Sequence, residues 1–218
     1  MLKRLFDIIF SLIGLVVLFP FFLFIGILIK SGSRGPVFYR GVRIGRFGKL
    51  FKIYKFRTLV ANAERIGGPS TAGDDFRITK IGKILRKYKL DELPQLIDVL
   101  RGKMSFVGPR PEVPFYANMF TDEEKTILSI RPGITDWASL WNSNEGTILA
   151  GSPDPEKTYQ EKIRPKKIEL QLKYVREKSL AIDLRIVLQT LKKLYPHLSP
   201  PPLRGRMKER EINHDKIL

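Results

Sequence analysis

Two adjacent carboxylates, Asp91 and Glu92, stand three and two residues ahead of Pro94 in the stretch LRKYKLDELPQLIDVLRGKMSFVGPRPE, Leu85 to Glu112. Proline is favoured in a first helical turn, where its missing N–H costs nothing. The QLIDVL run that follows continues a helical spacing of Leu93, Leu96, Ile97 and Leu100. The acid pair is therefore expected at a helix N-terminus, where the dipole favours negative charge. Cations surround it: Arg86, Lys87 and Lys89 before, Arg101, Lys103 and Arg110 after. Arg110 lies between the two prolines of GPRP, which restrict the backbone on both sides. Two acids facing held cations beside rigid turns suit phosphate chemistry. The same residues also fit a plain first-turn dipole interaction ringed by solvated arginines, and taken alone they leave both readings open.

The elements that must position this stretch belong to a chain of 218 residues, long enough for one domain with a real core and an appended membrane segment. The absence of cysteine excludes disulfides and thiolate metal sites. Only His197 and His214 are present, both near the C-terminus, so any metal is expected to be a hard cation held by carboxylate and phosphate oxygens. A net charge of +17 suits nucleic acid, anionic headgroups or an anionic substrate.

Leu5 to Ile29 is apolar apart from Asp7, Ser11 and a few glycines, long enough to cross a hydrocarbon core as a helix. Pro20 should bend it. Lys3 and Arg4 before it and Lys30 and Arg34 after it make both flanks basic. Positive flanks prefer the cytoplasmic side, so a helix that enters and turns back fits as well as a single-pass anchor. From Pro36 to Leu59 two alternating runs around Arg46-Phe47-Gly48 read as a β-hairpin carrying Lys55 and Arg57. Residues 61–75, with GGPS and AGDD, read as a loop. Asp74 or Asp75 is expected to cap a basic amphipathic helix with Ile78, Ile81, Ile84, Leu85 and Tyr88 on one face. Thr121 and Glu124 form a capping box. Trp137 and Trp141 are expected chiefly in core packing. Helices follow from Pro165 to Glu177 and from Ala181 to Tyr195, and the Pro-rich, charged run from Pro196 reads as a flexible tail.

Four words occur in order: KFRTL (Lys55 to Leu59), LDELPQL (Leu90 to Leu96), GKMSFVGPRP (Gly102 to Pro111) and RPGIT (Arg131 to Thr135). Together they closely resemble the bacterial sugar transferases called small monotopic phosphoglycosyl transferases, from about Leu2 to about Tyr195. The family often has Ser before the kink proline, where this chain has Phe19, and often Ser where it has Lys89. Its best-known members have Gly and Gln about where Asp136 and Ser139 stand here.

The resemblance implies a mainly helical α+β fold: a re-entrant membrane helix over 1–34, a catalytic domain over 35–195 with a small hairpin and short interfacial helices, and a tail over 196–218. It implies transfer of a phosphosugar from a UDP-sugar to a polyprenol (undecaprenyl) phosphate, with release of UMP and a covalent aspartyl intermediate on Asp91. Asp91 and Glu92 become the expected catalytic residues and Mg²⁺ ligands, with Glu92 either binding metal or positioning Asp91. Lys55, Arg57, Arg110 and Arg131 become the expected substrate contacts, Arg110 on phosphoryl oxygens and Arg131 on nucleotide phosphate. Asp183 matches an acidic position that supports the metal site or holds a nearby cation. Sugar selectivity is expected in the divergent segment 134–150 or the loops. Membrane lipids are the expected surroundings, a homodimer is compatible, and the site is expected at the cytoplasmic face of the bacterial inner membrane. No nucleic acid is expected as a partner, because an acidic pair inside the basic region repels a phosphate backbone. The alternatives carried are a membrane-anchored nucleic-acid-binding protein and a noncatalytic scaffold of glycan assembly.

Overall fold

An almost unbroken run of aliphatic and aromatic side chains makes Leu2–Gly32 one helix, α1, with Pro20 inside it. The computed structural model describes residues 2–67, 71–142 and 145–198. At 1.5 Å per residue α1 is about 46 Å long, long and apolar enough to cross a membrane. Val16, Val17, Leu23 and Ile27 in its middle are exposed. Both ends are nevertheless tied to the rest of the chain. Near the start, Lys3 Nζ donates to the Val107 carbonyl at 2.8 Å, and Arg4 donates to the carbonyls of Val99 and Leu100 at 2.6 and 2.8 Å. The buried Asp7 carboxylate accepts from Ser105 Oγ and the Phe106 N–H, both at 3.1 Å. A Cβ on Gly14 would lie 3.0 Å from Leu96 Cδ1, so glycine lets the helix approach closely there. At the far end Ile25 and Ile29 are buried with Phe56 and Leu85.

The expected hairpin forms in two steps. β1 (Phe38–Tyr39), β2 (Val42–Ile44), β3 (Leu50–Lys52) and β4 (Lys55–Phe56) pair antiparallel as β2 with β3 and β1 with β4. Its turn takes positive φ at Phe47 and Gly48. Just past β4, Arg57 is buried and donates to the carbonyls of Ser33, Arg34 and Pro36 at 3.0, 2.9 and 2.6 Å. All three carbonyls lie just past Gly32, the last residue of α1, so Arg57 pins the turn that leads out of the helix.

Helix α2 (Lys80–Lys87) is capped by Thr79, whose Oγ1 accepts from the Gly82 N–H at 2.9 Å, and not by Asp74 or Asp75. Asp75 is instead paired with the buried Arg77 (Nη2 to Oδ2, 2.6 Å), which also donates to the Ala63 carbonyl and so fastens the 61–75 loop. Leu85 turns into the core beside α1, while Ile84 stays exposed. Lys89, at φ 56°, then reverses the chain into a single 3₁₀ turn, Leu90–Glu92, and α3 follows over Gln95–Leu100. The acid pair therefore occupies its own turn rather than the first turn of α3, a correction to the sequence reading.

Next come β5 (Ser105–Val107), α4 (Pro114–Ala117) and a 3₁₀ helix, Glu124–Ser129, opened by the expected Thr121–Glu124 capping box. β6 (Gly133–Thr135) runs parallel to β5. The chain continues through α5 (Trp137–Trp141), α6 (Glu145–Leu149), α7 (Pro155–Thr158), a π turn at Tyr159–Ile163, α8 (Arg164–Glu177) and α9 (Leu180–Leu198). The fold is mainly helical, as expected; among the described residues it has three short strand pairs, of which the parallel β5–β6 pair goes beyond the one hairpin expected. Trp137 and Trp141 both pack against core clusters. Asp183 holds a cation, Lys3, at 2.7 Å. The tail beyond Leu198 lies outside the described residues.

The Asp75 carboxyl is held below the ordinary aspartate range, chiefly by the hydrogen bonds from the Arg77 side chain. Its stabilising effect is therefore present at neutral pH and disappears as the pH falls through that lowered value. Asp75→Asn is expected to reduce unfolding free energy by about 2 kcal/mol at pH 7, with the difference from wild type closing in strong acid. Chemical denaturation at both pH values checks this; an equal loss at both would contradict it.

Candidate functional site

The 3₁₀ turn presents its two carboxylates differently. Glu92 is gripped by the planar fork of Arg110: Nη1 donates to Oε2 at 3.0 Å and Nη2 to Oε1. Lys55, brought by β4, donates to Oε1 from the other side at 2.8 Å. The Tyr54 N–H donates to Asp98 Oδ2 at 2.8 Å, which fixes that strand against α3. Asp91, only 8% exposed, accepts no hydrogen bond from any described residue. It lies among the charges of Lys55, Arg86 and Arg110.

The electrostatic consequences separate the pair. Burial pushes the Asp91 carboxyl up, and the neighbouring Glu92 charge pushes it further, against the pull of the three cations. Burial also acts to raise Glu92, but Arg110 and Lys55 outweigh it and hold that carboxyl well below the usual range. Burial lowers Lys55, whereas Glu92 keeps Arg110 firmly charged. Glu92 thus carries a fixed, compensated charge, and Asp91 keeps a more basic carboxylate with free oxygens. The source of the asymmetry is the bidentate arginine and Lys55, not a helix dipole.

Arg110 is placed by two of the sequence words meeting. Gly108, just past the end of β5, and Gly133, the first residue of β6, stand back to back: a Cβ on Gly133 would fall 2.1 Å from the Gly108 nitrogen. The Gly108 N–H donates to the Thr135 carbonyl and the Gly133 N–H to the Pro109 carbonyl, both at 3.0 Å. One residue on, the fully buried Asp136 accepts the Arg110 N–H at 3.3 Å and, with its other oxygen, the Ser139 N–H at 2.7 Å. It therefore caps α5 and anchors the arginine's backbone at once.

A cavity of about 480 Å³ opens from Glu92 and Arg110. Glu145 and Lys167 line it as well, together with Leu96, Phe106, Ile134, Val187 and Leu191. Ser139 Oγ and Asn142 Nδ2 belong to wall residues of this cavity and are buried without a hydrogen-bond partner among the described residues. Asp91 stands beside this wall rather than in it.

Of the expected site residues, Asp91, Glu92, Lys55 and Arg110 are brought together. Arg57 is not; the carbonyls just past the end of α1 engage it. Arg131 is not either: its Nε donates to the Gly102 carbonyl at 2.9 Å and its side chain lines a different cavity. The structure keeps Arg86, one of the cations flanking the pair in sequence, beside Asp91 and adds Asp136, Ser139, Asn142, Glu145 and Lys167. The Asp-x-x-Ser spacing of 136 and 139 carried a readable cap signal; the others converge only through the fold. Among the described residues no group of three or more acids or histidines is placed to hold a metal. A hard cation such as Mg²⁺ needs only one or two carboxylates when substrate phosphates supply the rest. Asp91, with free oxygens, fits that role; Glu92 fits it only after releasing Arg110.

The model of the family described as bacterial sugar transferase matches residues 1–197, and the chain belongs to that family. It is 34% identical over 194 residues to the UDP-N-acetylgalactosamine-undecaprenyl-phosphate N-acetylgalactosaminephosphotransferase of Aeromonas hydrophila, covering 88% of this chain and 43% of that protein. It is 35% identical over 197 residues to the UDP-glucose:undecaprenyl-phosphate glucose-1-phosphate transferase of Escherichia coli, covering 88% of this chain and 39% of that one. A third relative, the exopolysaccharide production protein PSS of Rhizobium leguminosarum, is 38% identical over 202 residues, 87% of this chain and 93% of its own. The chain thus spans less than half of the first two relatives and nearly all of the third.

Because Asp136 and Gly133 set the position of Arg110, their loss should register as stability. Gly133→Ala is expected to destabilise by about 3 kcal/mol through forced strand separation, and Asp136→Ala by about 1–2 kcal/mol through loss of the cap. Denaturant titration of the purified variants measures both, and a neutral Gly133→Ala would refute the close approach.

Proposed function

We propose that the protein moves a phosphosugar from a UDP-sugar to a polyprenol phosphate, releasing UMP. The observation that carries this reading is the buried Asp91 carboxylate, unbonded and ringed by Lys55, Arg86 and Arg110, beside a Glu92 already neutralised by its own partners. The printed activities of the Aeromonas and Escherichia relatives support the same reaction class.

An Asp91 oxygen attacks the β-phosphorus of the UDP-sugar. The bond from that phosphorus to the bridging oxygen breaks, UMP leaves with the electron pair, and an aspartyl phosphosugar remains. An oxygen of the polyprenol phosphate then attacks the same phosphorus, which restores the carboxylate and yields a polyprenyl diphosphosugar. Arg110 and Lys55 bring positive charge to the phosphoryl oxygens while Glu92, on which the arginine fork spends its two parallel donors, holds both in position; a lysine could not reproduce that bidentate grip. A bound Mg²⁺, with Asp91 as its protein ligand, would supply charge neutralisation of the pyrophosphate oxygens. Ser139 and Asn142 read the transferred sugar, since buried polar groups without partners are costly and a sugar hydroxyl or acyl oxygen would satisfy them.

Placement follows from α1. Its first turns are bonded to β5 and the end of α3, its glycine at 14 meets Leu96, and its last turns pack on β4 and α2. Both ends of this apolar helix rest on one domain, which supports the reading that α1 enters the lipid and returns to the same side. With both flanks basic, that side is the cytoplasmic face of the inner membrane, where the acceptor's phosphate reaches the site at headgroup depth.

Intact-protein mass spectrometry with UDP-sugar and no acceptor is expected to show a phosphosugar adduct that peptide mapping assigns to Asp91 and that Asp91→Asn lacks. An adduct on Glu92, or turnover with no adduct at all, would overturn the two-step route. Arg110→Lys is expected to lower kcat on the order of 10²-fold in a UMP-release assay. Asn142→Ala should raise KM for the preferred UDP-sugar while leaving the ranking of non-preferred sugars flattened.

A further inference from the structure

A second cavity, about 400 Å³, lies on the opposite face of β5. Phe106 lines the cavity of the acid pair, while its neighbours Ser105 and Val107 line this one, the alternation of a strand. The two cavities share no lining residue. Five cations converge on the second from separate parts of the chain: Lys3, Arg4, Arg46, Arg131 and Lys178, against the two carboxylates Asp7 and Asp183. Five against two leaves a formal excess of three positive charges.

The two acids are already answered. Asp183 accepts from Lys3 Nζ at 2.7 Å and from the Tyr174 hydroxyl at 2.6 Å, and Asp7 accepts from Ser105 and Phe106. Much of the positive charge is not. Arg131 and Arg46 each use only Nε, on the carbonyls of Gly102 and Ser129, so their terminal nitrogens are open among the described residues. Lys178 is exposed and makes no hydrogen bond to a described residue. The N-terminus of the 19-residue α9 opens on the same space through Ser179 and Leu180, and its dipole adds to the positive field. Exposed Leu180, itself in the cavity lining, and Leu184 one turn further along α9 give apolar surface beside this charge.

We propose that this cavity binds the phosphodiester of an anionic membrane phospholipid, with the acyl chains lying along the exposed leucines of α9. Spare cation donors face the phosphate, and the apolar rim suits the chains, a combination that a soluble phosphate would leave half used. The acceptor polyprenol phosphate is a different ligand, because its phosphate must reach Asp91 and Arg110 across β5. The proposal rests on the membrane placement of α1 given above and not on the transfer reaction.

The full chain in detergent micelles is titrated with phosphatidylglycerol or phosphatidylcholine, and retained lipid is counted by native mass spectrometry. The expected result is one saturable phosphatidylglycerol per chain, no equivalent phosphatidylcholine, and at least ten-fold weaker retention in the Arg46→Glu/Lys178→Glu double variant. Both residues are exposed, and an unchanged melting curve would show that the variant is folded. Retention should also weaken as salt is raised. Equal retention of the two lipids, or undiminished retention in the double variant, overturns the proposal. Displacement by UDP would give the cavity to the nucleotide, and displacement by a polyprenyl phosphate would give it to the acceptor; either outcome also overturns it. Because no turnover is read, failure here is distinguishable from failure of the transfer mechanism.

Discussion

The Glu92 carboxylate is shared between the fork of Arg110 and the ammonium of Lys55, and the parts of the domain meet at that contact. Arg110 arrives from the turn after β5, Lys55 from the hairpin and Glu92 from the turn between α2 and α3. Truncating one partner of such a buried group leaves the others uncompensated, which costs more than the pair's own net attraction. The packing around it is correspondingly rigid: glycines back to back at 108 and 133, Asp136 holding the Arg110 N–H, and Asp98 holding the Tyr54 N–H.

That contact also divides the chemistry between two neighbouring acids of similar intrinsic strength. Saturating Glu92 with two cations fixes its charge, so the pair does not have to share a proton. Asp91 is left buried, raised in basicity and free of hydrogen bonds from the described residues. A carboxylate with that combination is a better nucleophile towards phosphorus than one bound to an arginine, whose lone pairs are already engaged.

The long apolar helix takes part in the same construction. Lys3, Arg4 and Asp7 are read most simply in a sequence as flanking charges and a stray acid. In the fold they tie the start of α1 to β5, to the carbonyls ending α3, and to Asp183 of α9. The apolar helix is thereby held to the rest of the chain by polar bonds at one end and by apolar packing around Ile25 and Ile29 at the other.

The sequence by itself determined α1, the hairpin, the capping box at Thr121 and Glu124, and the company of Asp91, Glu92, Lys55 and Arg110. Each of these follows from local periodicity, from local capping chemistry or from motif words whose order survives in one dimension. It did not determine that Asp91 and Glu92 have a turn to themselves, that Thr79 and not Asp75 caps α2, or that Arg57 and Arg131 serve other places. Those outcomes depend on which buried carbonyl or carboxylate lacks a partner once the chain is packed. Arg57 goes to the carbonyls where α1 ends, Asp75 goes to Arg77, and Asp136 joins Arg110 to α5. A cation's destination is set by the nearest unsatisfied group in space, and only the tertiary structure decides which group that is.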